Sequence, residues 1–99
     1  MSDRAWPRAV REATDGIGQN LSTMRRLLNL PAEVVAERAG ISTSTLTRIE
    51  SGSPGVALGA ALSVARVLTL LDPLLDATDP YSTDLGRMRA DQLLPKRIR

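Results

Sequence analysis

The chain has 99 residues, enough for one small domain with at most a short appendage. It contains no His and no Cys, which excludes zinc fingers, disulfide frameworks, thiol redox motifs and His- or Cys-based triads. Its 13 Lys+Arg against 11 Asp+Glu leave a net charge of +2, and with one Trp, one Tyr and no Phe in a Leu- and Ala-rich sequence the composition favours an all-α fold.

The N-terminus has no apolar stretch of signal-peptide type, and the longest uncharged run, 51–65, is shorter than the roughly 20 residues a membrane helix needs. A cytoplasmic chain with no membrane partner is expected. No cofactor and no metal is expected either, and no carboxylate pair or Ser/Lys spacing argues for an enzyme. The charge is unevenly spread. Residues 72–84 carry four aspartates and no base, while 85–99 carry Arg87, Arg89, Lys96, Arg97 and Arg99 against Asp91 alone.

Residues 1–13 read as an arm or as a short helix after Pro7. The first strongly periodic helix spans Asp15, a suitable cap, to Asn29, a suitable stop, with Ile17, Leu21, Met24, Leu27 and Leu28 at helical spacing. A short second helix runs from Pro31 to Ala39 with Val35, Ala36 and Ala39 inward, and Gly40 then supplies a left-handed turn. Ser42 caps a third helix that ends near Glu50 or Ser51, with Leu46 and Ile49 inward and Gly52 as its stop. A fourth helix is expected over Ala57–Leu71, with one stripe of Leu58, Ala61, Leu62, Ala65 and Leu68 and a second of Val64, Val67 and Leu71, wider than one small core requires. Asp72 and Pro73 read as cap and first residue of a short fifth helix to Ala77, and 81–94 as an amphipathic helix with Leu85, Met88, Leu93 and Leu94.

The informative stretch is PAEVVAERAGISTSTLTRIESG, residues 31–52. Two short helices meet at a tight turn, where Ala36 and Gly40 are small enough for a close crossing. Such a pair can project its second helix into a DNA major groove about 12 Å wide.

Residues 17–71 resemble the helix-turn-helix domain of the phage repressor and Cro type, the XRE family. The resemblance rests on Arg25, Val35-Ala36, Ala39-Gly40-Ile41-Ser42, Ile49-Glu50 with Gly52, and the Leu58, Leu62, Ala65, Leu68 pattern. It implies a five-helix repressor-like domain. Thr43, Ser44, Thr47 and Arg48 would read bases, and Ser42, Thr45 and Arg26 would contact the DNA backbone. Arg25 and Glu50 would form a structural ion pair. Three positions depart from the family pattern: Pro31 and Ala32 stand where a Ser or Thr cap and a Gln are usual, and Ser53 where a basic residue often follows the helix 3 glycine. With those phosphate contacts missing, binding calls for a homodimer and for help from Arg4, Arg8, Arg11 or Arg26, and Leu70, Leu71, Leu74 and Leu75 are in excess of what the core would hide. Two recognition helices about 34 Å apart would demand an inverted-repeat operator in double-stranded DNA.

The Leu/Ala-rich run VALGAALSVARVLTLLDPLL followed by DPYSTDLGRMRADQLLPKRIR, with its LPKRIR ending, is similar to antitoxins that accompany HipA-type kinase toxins. That resemblance implies a bacterial autoregulated operon, a nucleoid-associated protein when bound to DNA, and a tail whose Arg87, Arg89, Lys96, Arg97 and Arg99 dock on a HipA-like kinase partner. The organisation expected is an arm or short helix over 1–13, a DNA-binding and dimerisation domain over 14–77, and a docking tail over 78–99. The alternatives are a stand-alone phage-type regulator and a protein-interaction module that has lost DNA binding.

Overall fold

The structure, a computed structural model, describes residues 5–93. Among these residues the chain forms α1 (Arg8–Leu27), α2 (Ala32–Ala39), α3 (Thr43–Glu50), α4 (Leu58–Val67), α5 (Leu71–Thr78), a 3-10 turn (Pro80–Ser82) and α6 (Asp84–Leu93), with no strand. The fold is all-helical, as the composition indicates.

The first helix begins earlier than its apolar pattern suggests. Pro7 occupies the cap position at φ −55°, and α1 runs unbroken through Asp15, which is therefore not a cap. Nothing in Arg8–Ala13 opposes a helix, and periodicity marks only the buried part of one. Gly18, inside α1, lies where the helix crosses the end of α3: a Cβ there would sit 2.5 Å from the Ile49 carbonyl oxygen. Of the five apolar positions expected to face inward from this helix, Leu21 is buried and Met24 packs on the core, but Ile17, Leu27 and Leu28 are exposed.

The first four helices end alike. Asn29, Gly40, Gly52 and Thr69 each have positive φ, between 58° and 87°. In each case the next residue's N–H reaches back to the carbonyl five residues earlier: Leu30 to Arg25, Ile41 to Ala36, Ser53 to Arg48 and Leu70 to Ala65, at 2.8–3.1 Å. This closure satisfies carbonyls that a helix end would leave bare. It corrects three expectations. Gly40 is required for its φ of 74° and not for clearance, since a Cβ there would meet nothing within 4 Å. The fourth helix stops at Val67 and does not reach Leu71, because Thr69 turns left-handed. The fifth starts at Leu71, so Asp72 and Pro73 lie in its first turn, where a missing N–H costs little.

Leu21, Val35, Ala36, Leu46, Ile49, Val64, Ala65 and Leu68 are the buried hydrophobic residues among those described, drawn from α1 to α4 and the C-cap of α4. Beyond them the chain extends outward. The expected single helix over 81–94 is a 3-10 turn followed by α6, because Pro80 and the Asp79 side chain, which accepts from the Tyr81 N–H, fix a separate turn first. Leu94 lies outside the described residues. α6 packs chiefly on that turn. The Cα radius of gyration is 16.7 Å, above the roughly 13 Å of a compact chain this long, and matches such a projecting arm.

Candidate nucleic-acid interface

The α2–turn–α3 unit carries the residues singled out from the sequence. Ser42 caps α3, its Oγ accepting from the Thr45 N–H at 3.0 Å and donating to Thr45 Oγ1 at 3.0 Å. Both hydroxyls are thus engaged with each other. Leu46 and Ile49 point inward and are buried, so the opposite face of this eight-residue helix turns outward. Thr43, Ser44, Thr47 and Arg48 all lie on that face and all are exposed. None of their side chains is engaged in a hydrogen bond or ion pair among the described residues. The face offers three hydroxyls and one guanidinium, the side chains that bond base edges and phosphate oxygens.

The helix is braced from behind. Arg25 Nε donates to Glu50 Oε2 at 2.8 Å and Nη2 to Glu50 Oε1 at 3.1 Å, while Nη1 donates to the Leu30 carbonyl at 3.1 Å. Both side chains are 15% exposed. The Glu50 hydrogen bond holds the Arg25 guanidinium above its ordinary pKa; partial desolvation works against this, and the charges of Glu50 and Glu33 add to it. One planar group therefore ties α1 to the end of α3 and to the loop before α2. Arg66 adds a second tie, donating from Nη2 to the Arg38 carbonyl at the end of α2 at 3.0 Å.

The remaining sequence-predicted residues lie elsewhere. Arg26 is exposed in the last turn of α1 and donates back to the Ser22 carbonyl. Leu70 packs against the core, Leu71 is half-buried, and Leu74 and Leu75 are exposed. Leu70 and Leu74 line an apolar groove of about 330 Å³ between α1, α4 and α5, together with Ile17, Leu58, Ala61 and Leu62. Asn20 is the one polar side chain lining it, and Leu58 on its rim is 73% exposed. Arg87 is held within the arm by the Asp84 carboxylate and the Tyr81 carbonyl, whereas Arg89 is exposed. Lys96, Arg97 and Arg99 lie outside the described residues.

Sequence reasoning missed two elements of this brace, Gly18 and the Leu30 carbonyl. A glycine inside a helix is a weak signal of close approach, and a backbone acceptor leaves no signal at all. No helix among the described residues is long and apolar enough to cross a membrane, and no group of three or more acidic side chains there is placed to hold a metal ion.

Residues 8–78 match the family described as a helix-turn-helix domain. No curated protein matches the chain, and no solved structure matches it.

Proposed function

Because the chain belongs to the helix-turn-helix domain family, we propose that it is a transcriptional repressor that reads operator DNA by sequence and acts as a homodimer. The observation that carries this reading is the outward face of α3, where Thr43, Ser44, Thr47 and Arg48 stand clear of the protein while Arg25 and Glu50 hold the helix from behind. The exposed Leu74 and Leu75 and the adjoining apolar groove support a two-fold pair, which in turn calls for an inverted-repeat operator. The finer reading is that the protein is the antitoxin of a HipA-type kinase and represses its own operon. Its support is the α6 arm, whose Leu85, Met88 and Leu93 are exposed beside Arg89 and bury nothing in the body.

The test is binding to a duplex enriched from a random pool by the wild-type protein. Thr43→Ala and Arg48→Ala each weaken binding to that duplex, by about 1–3 kcal/mol for a base-reading side chain, and spare binding to a scrambled duplex. Unchanged binding by both variants overturns the base-reading assignment. A second reading, a protein-interaction module, is favoured by Pro31, Ala32 and Ser53 standing where phosphate contacts are usual; weak binding without sequence preference would establish it. Deletion of residues 81–99 weakens capture of the kinase and spares self-association in sedimentation, if the arm is the docking element.

A further inference from the structure

The start of α2 and the loop after α3 carry no basic side chain for gripping a sugar–phosphate backbone, yet the fold brings another element to the end of α3. α1 starts at Arg8, more than two turns before Gly18 meets the carbonyls of Ile49 and Glu50. Those first turns run alongside the chain as it leaves α3. Gly52 lies so close to them that a Cβ would sit 2.6 Å from the Asp15 Cα. Beside this contact opens a shallow cleft of about 440 Å³, lined by Arg8, Arg11, Glu12 and Asp15 from α1 and by Gly52 and Pro54 from the loop.

The four charges in this cleft are not equivalent. Arg8 Nε donates to Glu12 Oε2 at 2.8 Å, one helical turn away, so these two offset each other. The Asp15 carboxylate lies against Gly52, with Oδ1 2.9 Å from where a Cβ would be. Arg11 is exposed, and its guanidinium is in no hydrogen bond or ion pair among the described residues. A guanidinium in this state can grip a phosphate through two parallel N–H donors. The place is also right. An eight-residue helix is about 12 Å long, and the major groove is about 12 Å wide. With its first turn at the base edges, α3 delivers its last turn and the loop beyond to the phosphate wall.

We propose that Arg11, with Arg8 beside it, is a phosphate contact: the N-terminal turns of α1 supply at the end of α3 the backbone charge that Ser53 does not. The assignment rests on the DNA-reading role proposed for α3. It adds a sequence-independent anchor to that role, since phosphates position a protein on the duplex without identifying bases.

The experiment is fluorescence anisotropy on the pool-enriched duplex and on a scrambled duplex of equal composition, between about 50 and 200 mM salt. Arg11→Ala lowers the magnitude of the slope of log Kobs against log salt by about 0.9 for each bound protomer and weakens both duplexes by the same factor. Arg11→Lys restores most of the slope. Glu12→Gln, which removes the charge offsetting Arg8, tightens both duplexes and steepens the slope, a gain that no folding defect produces. An Arg11→Ala slope equal to wild type, a loss confined to the enriched duplex, or a Glu12→Gln variant no tighter than wild type overturns the phosphate role and leaves base reading by α3 standing. Wild-type protein that enriches no duplex overturns both.

Discussion

The buried hydrophobic residues fall between Leu21 and Leu68, whereas from Leu71 to Leu93 the chain is at most half-buried and mostly exposed. The two stretches are both helical, but different forces shape them. In the body, α1 to α4 share one apolar core assembled from positions far apart in the chain. In the arm, short-range hydrogen bonds dominate: Ser82 Oγ donates to the Asp76 and Asp79 carbonyls, Thr83 Oγ1 accepts from the Gly86 N–H, and Arg87 reaches Tyr81 and Asp84. Such bonds choose a conformation while removing little apolar surface from water, and short helices without tertiary packing are marginal. The body carries a shared core, whereas Leu85, Met88 and Leu93 of the arm remain exposed.

The sharpest way to break that contrast is a pair of identical truncations. Leu68→Ala, at a fully buried position, is expected to lose about 2–5 kcal/mol in urea denaturation. Leu85→Ala in the arm is expected to lose about 0.5 kcal/mol or less. Equal losses would mean that α6 belongs to the same cooperative unit.

Within the body, Glu50→Ala is expected to cost about 2–3 kcal/mol, short of the roughly 3–5 of a fully buried pair because some exposure remains. Replacing both partners, Arg25→Met with Glu50→Leu, is expected to recover most of this loss; a double variant no better than the single would show that the cost is not an orphaned charge. The sign of the pH dependence follows from the raised pKa of Arg25. Its contribution is complete below the unfolded-state value and disappears only as pH rises through the folded one. Stability measured from neutrality into the mildly alkaline range should therefore show no loss from this group.

A small effect of opposite sign lies at the boundary between the regions. Thr69, at φ 61°, is a β-branched residue in the left-handed region. Thr69→Gly relieves that strain against a higher unfolded-state entropy, and a net gain of about 0.5–1 kcal/mol is expected by thermal denaturation. A loss would mean that the Thr69 side chain contributes more at this joint than its backbone costs.

Legibility followed the same division. The α3 face was readable because a cap, two inward apolar residues and four outward polar ones obey one period from Ser42 to Glu50. Gly40 and Gly52 announced their helix ends, since glycine is the residue that left-handed closure favours. Thr69 performs the same closure with a side chain that argues against it, so the sequence pattern ran α4 on to Leu71. Asp15 has the chemistry of a cap yet lies within a longer helix, because the turns before it carry no apolar stripe to reveal them. Ile17 and Leu58 have core chemistry, and only the relative placement of α1, α4 and α5 leaves them on an open groove. Arg11 was legible only as one of four arginines able to help grip DNA; the cleft that singles it out joins residues 8–15 to 52–54, a meeting that no local pattern encodes.

The planar Arg25 guanidinium donates to three acceptors, two on Glu50 and one on Leu30. A lysine would keep the charge but surrender the plane, since an ammonium is a freely turning point. α3 would then be held by charge and by its buried Leu46 and Ile49, without the planar clamp on Glu50. In the base-reading role proposed for α3, a protein altered in this way would still bind DNA, but its hydroxyls would be held less firmly in register with the base pairs. What erodes first is fidelity, ahead of grip.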